Sequence, residues 1–427
     1  MNEKIRSILK KEILRIKPQG KEFQKINELT EKVVSLLEKE IKKRKIKADV
    51  FIGGSVAKDT LIKKDFYDID IFVRFRKNGP FSELLEPLVK KVASSFHAPL
   101  QKMHGSRDYF RVKIKHLLFE FIPVLFIRRP KDAANITDLS IFHVSYITKK
   151  IRKKKSLADD IRLAKKFCFS QGCYGAESYI KGFSGYALEL LVSYYGSFLK
   201  LVEEIAQSKE KIILDPERHY KKKQDILLHM NEAKLQSPIV FVDPVSRERN
   251  ALAALSQETF AKMQEGCRAF LKRPSSTFFE FKEVQEHQLN QKAKKKHAEL
   301  LVLEIATDRQ EGDIAGTKLL KFSNFFASNV EKYFTLLHKE FVYDGKQAGK
   351  IYWVIKKKPS LLIKGPPVTA VENLKKFKEK HPRVFIEKNV AYAREKNPYS
   401  PRGFLIFFKK KNYQVLKDMG ITQLSIP

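Results

Sequence analysis

The amino-acid sequence predicts a multidomain α+β protein, and three observations carry that prediction. The chain has 427 residues, enough for two to four domains of roughly 100–200 residues each. Hydrophobic residues make up 43% of it, which supports real cores and excludes a disordered or collagen-like chain. Apolar residues recur at helical spacing in some stretches and at strand spacing in others, and the pattern changes several times along the chain.

Residues 1–47 read as helix. Ile5, Ile8, Leu9 and Ile13 form one apolar stripe, and Leu29, Val33, Val34, Leu36, Leu37 and Ile41 a second, with Pro18 and Gly20 between them. Short apolar runs follow. Residues 50–52 lead into Gly53, Gly54 and Ser55, residues 68–73 alternate with period two, and 116–127 is a third strand-like run ending near Pro130. With a helical stripe around 84–92, this predicts a mixed domain on a small sheet. Residues 149–155 (KKIRKKK) read as a basic connector, and 156–272 as mostly helical, looser over 215–250 where Pro216, Pro238 and Pro244 fall. The most apolar stretch, 183–202, carries Glu189, Lys200, two glycines and three tyrosines, so it reads as a buried core helix rather than a membrane span. Residues 283–298 are polar and lysine-rich and read as a hinge or exposed connection. Strand-like runs at 300–305, 351–355 and 404–408, with helices over 319–338 and 371–380, predict a second α/β unit with helices on one face of a sheet. There is no internal repeat.

Charge narrows the function. Lysine and arginine total 84 against 49 acids, a formal net charge of +35. A protein that basic calls for a polyanionic partner, with nucleic acid ahead of an acidic membrane surface. Cys168, Cys173 and Cys267 are too few and too badly spaced for a disulfide framework or a zinc knuckle, which points to a reducing cytosol. The first residues are charged throughout and do not read as a signal peptide, so the expected location is cytoplasmic.

The chemistry is concentrated in one motif. Gly54 and Ser55 are followed, after twelve residues, by Asp68 and Asp70. Positions i and i+2 of a strand share a face, so the two carboxylates stand side by side. Such a pair is unfavourable unless neutralised, and divalent metal is the usual answer. The Gly-Ser turn offers N–H groups and a hydroxyl to phosphate oxygens. A third acid from a neighbouring strand completes a two-metal site, and Glu120 is the one acid in its apolar run. Two metals about 3.5–4 Å apart activate a hydroxyl and stabilise a leaving oxygen, which is phosphoryl- or nucleotidyl-transfer chemistry.

This arrangement resembles the polymerase-β-type nucleotidyltransferase superfamily. Residues 53–60 (GGSVAKDT), 67–72 (YDIDIF), 174–203 and 242–256 (VDPVSRERNALAALS) are more closely similar to the archaeal class I CCA-adding tRNA nucleotidyltransferases. The resemblance implies a polymerase-β-like catalytic palm over 1–148, a mostly helical central nucleotide- and tRNA-binding domain over 149–275, and a C-terminal α/β, RRM-like or tail RNA-binding region over 276–427. It implies that Asp68, Asp70 and Glu120 ligate two Mg²⁺ ions, with Glu120 the candidate to assist deprotonation of the attacking hydroxyl. It implies that Ser55, Lys58, Ser140, His143, Lys165 and Tyr174 surround the nucleotide triphosphate, and that Arg249, flanked by Asp243 and Asn250, reads the base edge. Two positions depart from the family pattern: Glu120 stands where Asp is usual, and Ser140 where Thr often precedes the His. Glu120 as a structural acid in a weakened enzyme stays open.

The implied roles make physical sense. Lys58 and Lys165 offset triphosphate charge, Tyr174 gives a directional hydrogen bond, and Arg249 a planar donor fork. Cytosine and adenine share an acceptor nitrogen beside an exocyclic amine, so one donor and one acceptor could accept both. Basic stretches at 149–155, 219–223, 291–297 and 408–411 supply sequence-indifferent RNA affinity. The aromatics near them (Tyr220, Phe279, Tyr352, Trp353, Phe407, Phe408 and Tyr413) either stack on bases or pack a core. The resemblance implies CTP, ATP and the acceptor stem and TΨC arm of tRNA as partners. A poly(A) or poly(U) tailing enzyme and a catalytically silent RNA-binding protein remain alternatives, and whether the chain works as a monomer or a homodimer stays open.

Overall fold

The computed structural model, which describes residues 2–281 and 283–427, begins with two amphipathic helices, α1 (Asn2–Ile16) and α2 (Gly20–Lys43). Their apolar stripes serve different cores. Ile26, Val33, Leu37 and Ile41 of α2 pack beneath a sheet, whereas Ile5 and Ile16 of α1 pack into a helical core further along the chain.

The sheet comprises β1 (Ala48–Ile52), β2 (Tyr67–Phe75), β3 (Leu100–Met103), β4 (Tyr109–Ile114) and β5 (Leu117–Leu125) in the order β1-β2-β5-β4-β3. A single turn, α3 (Gly54–Ala57), follows β1, and α4 (Phe81–Ser95) follows β2. The β2–β5 pair is parallel and the others are antiparallel. Tyr67, Ile69, Ile71, Val73 and Phe75 of β2 are buried against α2 and α4. Alternation therefore turns Asp68 and Asp70 to the opposite face.

The helical part contains α5 (Ser140–Lys153), α6 (Leu157–Ser170), α7 (Gly185–Tyr195), α8 (Phe198–Gln207) and α11 (Gln257–Lys272) around one core. Between α8 and α11 lie β6 (Ile212–Leu214), α9 (Lys223–His229), α10 (Glu232–Leu235), β7 (Ile239–Asp243) and β8 (Ser246–Asn250), the three strands forming a small sheet. The expected connector at 149–155 is not one. Residues through Lys153 continue α5, because Ile147 and Ile151 keep its apolar stripe and the basic side chains suit the negative end of a helix. The expected single helix over 183–202 is two, broken where Gly196 takes φ +84° and Ser197 caps α8 through Lys200 N–H.

All of this forms one unit, Met1–Ala176 with Ile180–Lys282; Glu177–Tyr179 and Glu283–Pro427 form a second. The second unit contains α12 (Glu286–Lys295), β9 (Glu299–Thr307), α13 (Asp313–Val330), β10 (Phe334–Tyr343), β11 (Ala348–Lys357), β12 (Ser360–Pro367), α14 (Val371–Lys380), β13 (Val384–Glu387), β14 (Val390–Lys396), α15 (Pro401–Lys411), α16 (Tyr413–Asp418) and β15 (Ile421–Ser425). It has two sheets, β10-β11-β9-β15 and β12-β14-β13, rather than one. The 283–298 segment is largely helix, held by buried Leu289 and Ala293 four residues apart. The expected strand at 404–408 is helix α15: Ser400 caps it, Pro401 opens it, and Phe404 and Phe408 enter the core together one turn apart. The expected helix over 319–338 ends at Val330, and Phe334 onward pairs with β11.

Most aromatics named near the basic stretches pack cores. Phe279, Tyr352, Trp353 and Phe408 are buried, Tyr220 and Phe407 are partly buried, and Tyr413 is exposed. No helix among the described residues is long and apolar enough to cross a membrane.

Candidate active site

The parallel register of β2 and β5 places Asp70 directly opposite Glu120. Asp68 lies two residues earlier on the same strand, so all three predicted acids share the face turned away from α2 and α4. Asp68 is exposed, with Lys64 Nζ 3.4 Å from its Oδ2. Glu120 Oε1 accepts a hydrogen bond from Arg111 Nε at 2.7 Å, and Arg111 stands opposite Glu120 on β4. Among the described residues, no three His, Cys, Asp or Glu side chains are gathered closely enough to hold a metal ion as they stand.

The donor chemistry nevertheless suits a divalent cation. Burial and the neighbouring Glu120, offset by Lys58 and reinforced by Asp68, push the Asp70 carboxyl up to about 7. Adjacent acids with insufficient compensation are what a hard, oxygen-seeking cation relieves. The glycine turn approaches closely. Gly53 N–H donates to Asp70 O at 2.8 Å. Gly54 has φ +58°, and a Cβ there would come 1.7 Å from Asp70 Oδ2, so the position excludes any side chain. Ser55 lies in the same turn, α3.

Behind the turn is a buried charge network. Lys58 Nζ donates to Glu189 Oε2 at 2.6 Å and Lys165 Nζ to Oε1 at 2.8 Å. Thr60 Oγ1 accepts from Lys165 at 3.1 Å. Burial pushes the Lys165 ammonium down, while Glu189 is held below the usual carboxylate range because the two lysines outweigh its burial. One carboxylate against two ammonium groups leaves net positive charge directed toward Asp70, whose acidity both lysines increase. Buried Arg162 fixes the loop geometry, donating to Leu61 O at 2.8 Å and to Asp59 O at 2.6 Å. Tyr174 joins at the start of α7: a Cβ on Gly185 would meet its hydroxyl at 2.9 Å and Lys165 Cε at 3.8 Å.

Ser140 and His143 lie in the first turn of α5. Asp138 positions that turn. Its carboxylate pairs with Arg107 and accepts from the N–H groups of Leu125 at 2.8 Å and Asn135 at 2.9 Å, tying α5 to the end of β5. His143 then meets Arg249 through Asp243, which is fully buried. Asp243 pairs with the Arg249 guanidinium and accepts from Tyr186 Oη at 3.2 Å and Val245 N–H at 3.0 Å. His143 Nε2 is 3.2 Å from Asp243 Oδ2 but outside hydrogen-bond geometry, and burial disfavours the charged imidazole. The His143 and Tyr186 rings stack with centroids 4.2 Å apart, and the Arg249 guanidinium lies 5.7 Å from the Tyr186 centroid. Burial would raise the Asp243 carboxyl, but His143 and Arg249 outweigh it and hold it low. Asn250 is structural: its Oδ1 accepts from Phe241 and Leu252 N–H at 3.0 and 2.9 Å.

The predicted residues thus form two clusters, one around Asp70 and the lysines and one around Asp243. Sequence reasoning missed Glu189, Thr60, Arg111 and Tyr186. Glu189 is the one acid in the apolar stretch 183–202, the same signal that singled out Glu120.

Comparison with known proteins places the chain among related sequences and folds. Residues 34–143 match the family described as "Nucleotidyltransferase domain", and residues 159–280 match "tRNA nucleotidyltransferase, second domain". The chain is 30% identical over 375 residues to a protein of Nanoarchaeum equitans named "CCA-adding enzyme", covering 87% of this chain and 88% of that one. It is 28% identical over 412 residues to the "CCA-adding enzyme" of Methanocaldococcus jannaschii, covering 93% and 88%. The fold is shared with a cytoplasmic RNA terminal U-transferase, at a TM-score of 0.51 and 14% identity over 66% of this chain and 100% of the other. A poly(U) polymerase gives a TM-score of 0.52 at 12% identity, over 65% of this chain and 98% of the other.

Proposed function

The chain belongs to the CCA-adding enzyme family, and we propose that it builds and repairs the 3′-terminal CCA of tRNA from CTP and ATP, without a nucleic-acid template and with release of pyrophosphate. The observation that carries this reading is the Asp70–Glu120 register beside a glycine turn and two lysines. The tRNA 3′-hydroxyl oxygen bonds to the α-phosphorus, the bond to the β-phosphate oxygen breaks, and the hydroxyl proton passes to a carboxylate of the acid face.

Asp68, Asp70 and Glu120 are the proposed holders of two Mg²⁺ ions. When bound, divalent metal supplies Lewis-acid stabilisation of the attacking and leaving oxygens. The protein's own groups do the rest. Ser55 and the Gly54 turn offer hydroxyl and backbone donors to phosphate. Lys58 and Lys165, held apart by Glu189, meet the charge that grows on departing pyrophosphate. Tyr174 and Ser140 add directional hydrogen bonds. Glu120 is the proposed proton acceptor, with Arg111 fixing its orientation. Asp243 aims the Arg249 fork at the base edge, with Tyr186 and His143 as its aromatic support. The proposed organisation is a catalytic domain over 1–148, a central domain over 149–275 and a tRNA-binding region over 276–427 that holds the acceptor stem and TΨC arm.

The test is incorporation of labelled CTP and ATP, separately and together, into a tRNA transcript ending at the discriminator base, with Mg²⁺. The expected product stops after two residues from CTP and one from ATP. A long homopolymer would show a tailing enzyme, and no incorporation with intact tRNA binding would show a silent site.

A further inference from the structure

The face that carries the acids continues past them. Arg111, Glu120 and Asp70 form one rung across β4, β5 and β2, and Lys113, Leu118 and Asp68 form the next-but-one rung on the same face. Phe66 stands in the bend just before β2, and its contact with Lys113 places it at that face. Lys113 Nζ lies 4.0 Å from the Phe66 ring centroid. Phe66 is 50% exposed, a large apolar ring left open beside a carboxylate pair. The backbone beside it is anchored. The next residue, Tyr67, is buried on the opposite face, donates from its hydroxyl to Glu22 at 2.6 Å and from its N–H to His116 O at 3.0 Å.

We propose that Phe66 and Lys113 form the subsite for the 3′-terminal nucleotide of the RNA acceptor, with Phe66 stacking on its base and Lys113 meeting the phosphate on its 5′ side. This rests on the nucleotidyltransferase reading above. The glycine turn reaches Asp70 from the β1 side of β2, where the triphosphate groups gather. In an in-line displacement the attacking and leaving oxygens stand on opposite sides of phosphorus, so the acceptor enters from the β5–β4 flank, where Lys113 and Phe66 lie. A phenyl ring fits the task because it has no hydrogen-bonding group. The acceptor end changes at every step, from the discriminator base to C and again to C, and stacking is sequence-tolerant.

Phe66→Ala should raise the acceptor KM about tenfold, within the range of one lost base–aromatic stack, while leaving the CTP KM within about twofold. Phe66→Tyr should keep the wild-type value, and Phe66→Leu, which preserves bulk without a π face, should behave like Ala. Phe66→Trp gives a direct readout: its emission should be quenched on binding acceptor RNA beyond the change seen in the unaltered protein, whose single tryptophan is Trp353. Lys113→Ala should flatten the log–log salt dependence of RNA binding by about 0.7, one single-strand phosphate contact. An unchanged acceptor KM in Phe66→Ala, an equal rise in the CTP KM, or unquenched Phe66→Trp emission would overturn the subsite. If the unaltered enzyme incorporates nothing, the CCA reading fails instead, and the tryptophan quench alone then decides the subsite.

Discussion

Asp70 and Asp243 belong to one unit and to one proposed reaction, yet their surroundings push their carboxyls in opposite directions. Asp70 is driven up to about 7 by burial and by Glu120, with Lys58 and Lys165 only partly offsetting this. Asp243 is held low because His143 and Arg249 outweigh its burial. The difference separates a group whose charge is under-compensated from one with several close partners. Ionised Asp70 carries under-compensated negative charge that a cation would neutralise. Asp243 is already spent on orienting Arg249, and its chemistry is positional. A near-isosteric substitution that removes the charge should therefore have opposite consequences at the two sites.

Asp70→Asn breaks the comparison most sharply. Turnover should fall roughly a thousandfold or more, the scale of several kcal/mol of lost transition-state stabilisation, with tRNA affinity within about twofold. The same variant should stabilise the metal-free protein. A folded-state carboxyl near 7 lies above its unfolded value, so native protein binds the proton more tightly and loses stability as pH rises from about 4 through about 7. The gain from Asn is then full at pH 8 and absent near pH 4. Melting in chelator at both pH values checks it, and a lower Tm for Asp70→Asn at pH 8 would remove the under-compensated reading.

Asp243→Asn should do the reverse. It removes the charge and one acceptor oxygen: with the amide oxygen kept by Tyr186 and Val245, an NH2 donor faces the Arg249 guanidinium. Breaking a fully buried pair costs about 3–5 kcal/mol, and the partial exposure of Arg249 reduces this to about 2–3. Arg249 loses its aim, so discrimination of CTP against UTP should fall about tenfold, within the value of one base-edge contact. Stability from denaturant melts and competition between the two nucleotides measure the two effects. Asp243→Asn with unchanged stability would mean the carboxylate does not hold the fork.

The two sites also differed in how far the sequence revealed them. Asp68 and Asp70 were legible because period two in 68–73 is a local signal, and Glu120 because a lone acid in an apolar run is conspicuous. Their meeting was not legible, since it depends on β2 pairing in parallel with a strand some fifty residues later. Arg111 went unseen because β4 did, although Phe110, Val112 and Ile114 alternate with Arg111 and Lys113. Arg249 and His143 were found through resemblance, but Asp243 as their common partner needed the buried strand β7, hidden in a stretch read as loose. The strand expected at 404–408 has a local cause. A five-residue apolar run such as 404–408 satisfies both periods, and the Ser400–Pro401 cap would have decided for helix.

His143→Gln is the smallest effect and the most discriminating about Asp243. Burial pushes the His143 imidazole down, and Asp243 pulls against it without winning. A depressed folded-state value means the native protein binds fewer protons than the unfolded chain. Its contribution to stability is therefore present above about pH 6.5, the unfolded value, and lost as pH falls below it. Relative to wild type, His143→Gln should show a flatter fall in Tm between pH 7.5 and 5, by about one or two degrees. If His143 were instead a protonated partner of Asp243, wild type would gain stability over that fall in pH and the variant would lose the gain. The sign of the difference thus decides whether Asp243 is spent on two cations or on Arg249 alone, with the imidazole serving as a neutral ring stacked on Tyr186.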